Sequence, residues 1–169
     1  MKYFKKRKEK VILLIYGEGG HRSEMKRLLS YINKDCMENK YIAIYENGDF
    51  LDEKDIHDNY EFPTIRDKYS KIKTIVNTFT GFLKIISLLF KIRYKYDVKV
   101  ILSTGPGISI IPSYFFKIFN TKLIYIETDC RFTTKSLTGK LLYLIADKFY
   151  VPNKSLLELY PKSEYCGRL

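Results

Sequence analysis

Two histidines, His21 and His57, are the chain's only imidazoles, and their surroundings differ. His21 closes the run Gly17-Glu-Gly-Gly-His21, where a β-rich apolar segment gives way to a helical pattern. Glycines there let the backbone approach a ligand and aim N–H groups at a phosphate above a helix start. A His at that position can serve as a general base or as a hydrogen-bond donor, and a tight strand-to-helix turn explains the same residues without a ligand. His57 stands among acids in a polar stretch and reads as a surface residue. The loop is neither GxGxxG nor a Walker sequence, because no GK[ST] follows. Glu46 and Asp49 are only loosely placed as carboxylates for a ribose.

A second loop, Ser103-Thr-Gly-Pro-Gly107, combines a rigid proline with flanking glycines before another helix. Two such loops can hold a diphosphate between them. A third polar segment runs from Glu127 to Lys140. Its Arg131 and Lys140 are cations suited to phosphate, and Glu127 suits a sugar hydroxyl or a partner's N–H. Nothing forms a Ser-His-Asp set or a carboxylate pair for metal. Cys36, Cys130 and Cys166 lack CxxC spacing, which argues against a zinc site and a disulfide framework and favours a reducing, cytosol-facing compartment.

These loops need a scaffold. The 169 residues suit one domain. Apolar β-forming runs at 10–16, 40–45, 98–103 and 122–127 alternate with helical patterns, and shorter strands are predicted at 59–63 and 149–152. Ser23 is the expected cap of a helix through Ile32, residues 49–58 read as a loop or short helix, and helices are predicted at 70–96, 108–119, 138–146 and 154–160. Alternation of this kind means a Rossmann-like α/β fold, a parallel sheet with helices on both faces and ligands at the carboxyl ends of its strands.

The net charge of +11 draws the chain toward nucleic acid, anionic lipid or phosphorylated substrates. One cluster is a basic tail over residues 1–9, which is also how a plain solvated tail reads. The 70–96 helix carries Phe79, Phe82, Leu83, Ile86, Leu89 and Phe90 between basic flanks. Its apolar stripe is wider than a core face needs, which fits a helix lying in a membrane interface; an ordinary core helix is the alternative. Lys84 would sit mid-span in a crossing helix. A nucleic-acid module needs stacking aromatics among exposed cations, whereas here the aromatics follow apolar periodicity. A dinucleotide-dependent oxidoreductase needs the fingerprint that is missing.

Taken in order, GEGGH-x-x-E-M, STGPG, and YIETDCRF-x-x-x-SLTGKLLY-x-x-AD-x-F-x-V followed by YP-x-x-x-Y-x-G resemble the family of the asparagine-linked glycosylation protein fourteen. Its bacterial relatives include PssD-type and CpsF-type subunits of exopolysaccharide and capsule synthesis. The resemblance spans 11–169. It implies the N-terminal domain of a GT-B glycosyltransferase, bound at the cytoplasmic face of a membrane, in a bacterium the plasma membrane. Such a subunit takes a polyprenyl-diphosphate-linked sugar as acceptor and recruits a separate subunit that carries the UDP-sugar, itself binding no cofactor, metal or nucleic acid. By that resemblance Gly17, Gly19, Gly20, Gly105, Gly107 and Arg131 surround the acceptor diphosphate, and His21 is the candidate base. Glu127, Thr138 and Gly139 meet a sugar or an interface, and Gly167, Arg168 and Leu169 dock the partner. Glu18 departs from the small residue expected in the first loop.

Overall fold

The computed structural model of the chain describes residues 8–32, 40–46, 50–52, 56–62 and 71–168, the stretch 71–80 as backbone alone. Seven parallel strands form one sheet in the order β3-β2-β1-β4-β5-β6-β7. They are β1 Glu9–Tyr16, β2 Tyr41–Tyr45, β3 Ile56–Glu61, β4 Tyr96–Ser103, β5 Lys122–Ile126, β6 Lys148–Val151 and β7 Glu164–Tyr165. The inner strands are continuous apolar runs because both faces are covered: Leu13, Leu14, Ile15 and Tyr16 are all fully buried.

Helix α1 (Gly20–Ile32) covers one face, where Met25 and Leu29 pack on Leu14, Tyr16, Ala43 and Leu102. Helices α2 (Lys71–Lys95), α3 (Ile110–Lys117), α4 (Leu137–Leu142) and α5 (Leu156–Leu159) lie on the other. There Ile85, Leu89 and Ile92 of α2 join Phe116, Leu142 and Leu156 over Leu13, Ile15 and Ile101. The predicted fold class therefore holds.

The differences are local. The helix after β1 starts at Gly20, three residues before Ser23, so Ser23 lies in its first turn and donates back to the Gly19 carbonyl instead of capping. Residues 56–58, expected in a loop, open β3: the polar residues of this edge strand alternate between half-buried and exposed, and one exposed face needs no hydrophobic run. Pro63 lies outside the described residues, as do 1–7, Asn47 and Gly48. The helix predicted over 108–119 is a 3-10 turn at Gly107–Ser109 running into α3, and α4 stops at Leu142, four residues early. The tail strand β7 was not foreseen; two exposed residues carry no pattern.

Helix α2 corrects one expectation. Leu89, grouped with lipid-facing residues, is 0% exposed and belongs to the core, and Ile86 is half-buried. Phe82, Leu83 and Phe90 do face outward; the side chain of Phe79 lies outside the described residues. The stripe reads as wide because two faces are apolar, one seated on the sheet and one open. Among the described residues no helix is long and apolar enough to cross a membrane.

Leu89→Ala is therefore expected to cost about 2–5 kcal/mol, while Leu83→Ser stays within about 0.5 kcal/mol. Urea unfolding followed by circular dichroism measures both, and equal losses would mean that α2 is seated on a different face.

Candidate functional site

Strand order reverses between β1 and β4, because the chain leaves β1 toward β2 and β3 and then crosses back through α2 to the other side. Loops diverge at such a point and leave a crevice above the strand ends. The two glycine loops of the sequence flank it.

His21 ties them together. As the second residue of α1, it presents Nδ1 to the Thr104 carbonyl at 2.6 Å, and the Thr104 hydroxyl returns a bond to the His21 carbonyl at 2.9 Å. A carbonyl only accepts, so Nδ1 carries the proton. The rest of the ring lies between the loops. A Cβ on Gly17 would stand 3.6 Å from its Cδ2, and one on Gly105 would stand 3.5 Å from its Cε1. Nε2, bonded to both carbons, is thus the edge held between the two glycines.

The glycines have separate reasons to be glycine. Gly105 (φ +94°) and Gly19 (φ +59°) adopt left-handed backbone. Gly17 is closed in: a Cβ there would meet Pro106 at 3.0 Å and Glu46 Oε2 at 3.3 Å. Gly20 opens α1 and Gly107 opens the 3-10 turn, and a Cβ on either would meet nothing within 4 Å. Glu18 is exposed.

Burial works against charge on His21. The Glu24 carboxylate, the Thr104 carbonyl and the Glu127 charge outweigh it, so the pKa is raised above the ordinary 6.5. Across the loop, burial and the charge of Glu18 raise Glu46, with His21 pulling the other way. Glu46 is thus part of this rim, which the sequence only hinted at.

The third segment builds a different kind of centre. Glu127, just past β5, is 1% exposed and its oxygens are taken up within the chain. Oε2 accepts from Ser136 Oγ (2.9 Å) and Tyr160 Oη (3.0 Å), and Oε1 from the Thr128 amide (3.1 Å) and, at 3.4 Å, Tyr125 Oη. Burial and the Glu127 charge hold both tyrosines well above their ordinary pKa, so they remain neutral donors. Ser136 also caps α4 by accepting from the Gly139 amide at 2.8 Å. Gly139 fits because it has no side chain: a Cβ would lie 2.2 Å from Glu127 Oε2 and 2.5 Å from Tyr160 Oη. Thr138 is buried beside it. This cluster braces the loop and leaves Glu127 no free oxygen for a sugar.

Arg131 is exposed and donates to Thr134 Oγ1 at 3.1 Å. It stands on the third loop, three residues past Thr128. The tail reaches that same loop: the Arg168 guanidinium lies 5.6 Å from the Phe132 ring centroid, and Gly167 turns there with φ +78°. Leu169 lies outside the described residues. Among the described residues no three His, Cys, Asp or Glu side chains converge on a metal site.

Residues that sequence reasoning missed are Glu24, Thr104 and Tyr125. Glu24 stood inside a motif, three residues after His21 and one helical turn along, which was the available signal.

The chain matches the family described as "Oligosaccharide biosynthesis protein Alg14 like" over residues 12–169. It belongs to the Alg14 family. Curated relatives include the UDP-N-acetylglucosamine transferase subunit ALG14 of Candida albicans, 31% identical over 97% of this chain and 82% of that protein. The human protein of the same name is 28% identical over 94% of this chain and 82% of that one. Among solved structures, this Alg14 family chain is similar to Acinetobacter baumannii MurG (TM-score 0.59, 10% identity), covering 85% of this chain and 41% of MurG. It is also similar to a UDP-N-acetylglucosamine 2-epimerase (TM-score 0.62, 14% identity), covering 92% of this chain and 45% of that one. At these identities the likeness establishes the fold, the Rossmann-like domain of a GT-B architecture, and the chain spans under half of each larger structure.

Gly139→Ala is expected to destabilise the domain by about 1–3 kcal/mol or more, since it drives a methyl into a closed polar cluster. His21 should make stability fall with rising pH. A raised folded pKa stabilises fully below the unfolded value of about 6.5 and ceases to do so as pH climbs through the folded one. Urea midpoints at pH 5.5 and 9 should therefore differ less in His21→Gln than in wild type, and an identical difference would show that the imidazole is not so stabilised.

Proposed function

We propose that this chain is the membrane-associated, acceptor-binding subunit of a two-part glycosyltransferase, with a polyprenyl-diphosphate-linked sugar as its acceptor and a separate subunit that binds the UDP-sugar. The observation that carries this reading is His21 Nε2 held between two glycine loops at the switch point of a domain shaped like one part of a GT-B protein. Family membership and relatives named as transferase subunits support it.

The chemistry follows from the geometry. Loop amides and the His21 edge suit an anion such as a diphosphate. With Nδ1–H engaged by Thr104, Nε2 is also the nitrogen able to take a proton from an acceptor hydroxyl. That oxygen then bonds to the anomeric carbon of the donor, whose bond to the UDP oxygen breaks, and UDP leaves with the electron pair. The donor is UDP-N-acetylglucosamine in this reading, on the strength of the relatives' names, in preference to a glucuronosyl or galactosyl donor. Those relatives come from a yeast and a mammal and favour lipid-linked oligosaccharide assembly. Capsule or exopolysaccharide synthesis at a bacterial membrane is supported by the motif resemblance alone.

The open face of α2 supports attachment to the cytoplasmic side of a bilayer. Phe82, Leu83 and Phe90 continue onto α3 through the Phe90–Phe115 contact, with centroids 5.1 Å apart, to exposed Ile118 and Phe119. Arg93 stacks on Phe119, and Lys84 and Lys91 are exposed on the same helix, a mixture suited to anionic headgroups. For the partner, an apolar groove of about 410 Å³ lies on the α1 face of the sheet. Leu28, Val100, Ile124, Ile126 and Tyr150 line it, and Cys166 of the tail sits at its side. With Gly167, Arg168 and Leu169 next in the chain, groove and tail form one candidate docking surface.

The test is transfer from labelled UDP-N-acetylglucosamine to a polyprenyl-diphosphate sugar. The purified chain alone should be inactive, and its partner should restore turnover. His21→Ala should then lower transfer by a factor on the order of 10²–10⁴ while co-purification with the partner persists; turnover by the chain alone would overturn the proposal. Separately, Leu83→Asp with Phe90→Asp should abolish co-sedimentation with anionic vesicles, and undiminished binding would remove α2 as the membrane face.

A further inference from the structure

Glu24 is the only acidic residue of α1, and its side chain is 4% exposed. A carboxylate taken out of water is costly unless its oxygens are engaged. Oε1 is engaged by the loop after β5, accepting from Thr128 Oγ1 at 2.9 Å and from the Asp129 amide at 3.0 Å. Oε2 is buried, makes no hydrogen bond among the described residues, and lies 3.4 Å from His21 Nδ1. That nitrogen already directs its proton at the Thr104 carbonyl. The N–H edge of the ring is thus flanked by a carbonyl from the loop after β4 and a carboxylate from α1, both of which only accept.

We propose that Glu24 is the positioning residue of this site: one of its oxygens fixes the loop after β5, and the other, with Thr104, fixes the His21 ring so that Nε2 faces the crevice. Glu24 then joins α1 to the loop after β5, and His21 carries the link on to Thr104 after β4. The inference rests on His21 being the working group of the crevice. It gives the imidazole a negative neighbour on the side away from the substrate, which favours the charged ring whether it holds a diphosphate or has just taken a proton. Other charges also reach His21. Glu127 at the end of β5 acts in the same sense as Glu24, and Glu46 at the end of β2 is coupled to the ring and to Glu18. Glu24 is the one in close contact with Nδ1.

The decisive measurement needs no partner. His21 is titrated by NMR in the isolated chain, with exposed His57 as the internal reference, in wild type and in Glu24→Gln. Gln keeps the shape and can still accept from Thr128 and Asp129, yet it removes the charge. The His21 midpoint should fall while that of His57 stays, and an unmoved His21 would overturn the proposal. Thr128→Val, which loosens only the loop contact, should leave the His21 midpoint in place; a fall as large as in Glu24→Gln would also overturn it, as the effect would then come from general loosening. With the partner present, Glu24→Gln should lower turnover roughly tenfold to a hundredfold, with the acid limb of its pH profile displaced in step with the NMR midpoint. The double variant with His21→Ala should be no slower than His21→Ala alone, and multiplied losses would overturn the proposal. If the NMR shift occurs but transfer ignores both residues, the Glu24–His21 pairing stands and the role of His21 in transfer falls.

Discussion

The reciprocal pairing of His21 and Thr104 is the constraint on which the site depends. Each residue bonds the other's backbone carbonyl, and the two belong to loops that the topology drives apart. A switch point is open because the connections on either side run in opposite directions. Without a cross-tie, the glycine loops would be two independent flexible segments. With it, they become one surface whose shape is set by short bonds, with the imidazole at their junction beside Pro106, Glu46 and Tyr125. Glycine at 17 and 105 then follows, since a methyl at Gly17 would crowd Pro106, and one at Gly105 would crowd Tyr125 on a left-handed backbone.

The second brace is of the opposite kind. His21 keeps one edge toward the crevice, whereas Glu127 is closed in by Ser136, Tyr160, Tyr125 and the Thr128 amide. A fully satisfied buried network of this sort rigidifies its surroundings. It fixes the start of α4 and the course of the loop that carries Arg131 and Phe132. Glu24 then connects this rigid part to α1 through Thr128 and Asp129. The contrast is physical: the Glu127 carboxylate is closed in by its own chain, while the His21 side chain stays partly exposed between the glycine loops.

Much of this was legible in the residues. The inner strands announce themselves as uninterrupted runs such as residues 11–16, because burial on both faces removes any alternation. The glycine loops and His21 stood out by type and order, and their position at strand ends followed from the α/β pattern. What could not be read is what depends on pairing across the fold. Nothing local distinguishes Glu127 as a buried anchor from Glu127 as a ligand contact; the difference lies in Tyr160, 33 positions away. Leu89 looked like its outward-facing neighbours because α2 is apolar on two faces, and only contact with the sheet tells them apart. Strands β3 and β7 carried too little hydrophobic signal to be bounded, being edges.

Those edges have a consequence of their own. At one end of the sheet, β3 presents His57, Asp58 and Asn59, with Lys95 paired to Asp58. At the other, β7 is only two residues long, carries the Lys148–Glu164 ion pair, and is followed at once by a left-handed turn at Gly167. Charged and polar borders, the second of them only two residues long, discourage a foreign strand from extending the sheet. Backbone-to-backbone extension of the sheet is thereby disfavoured at both described edges, which shifts recognition toward surfaces that carry side-chain identity, where a wrong neighbour can be refused.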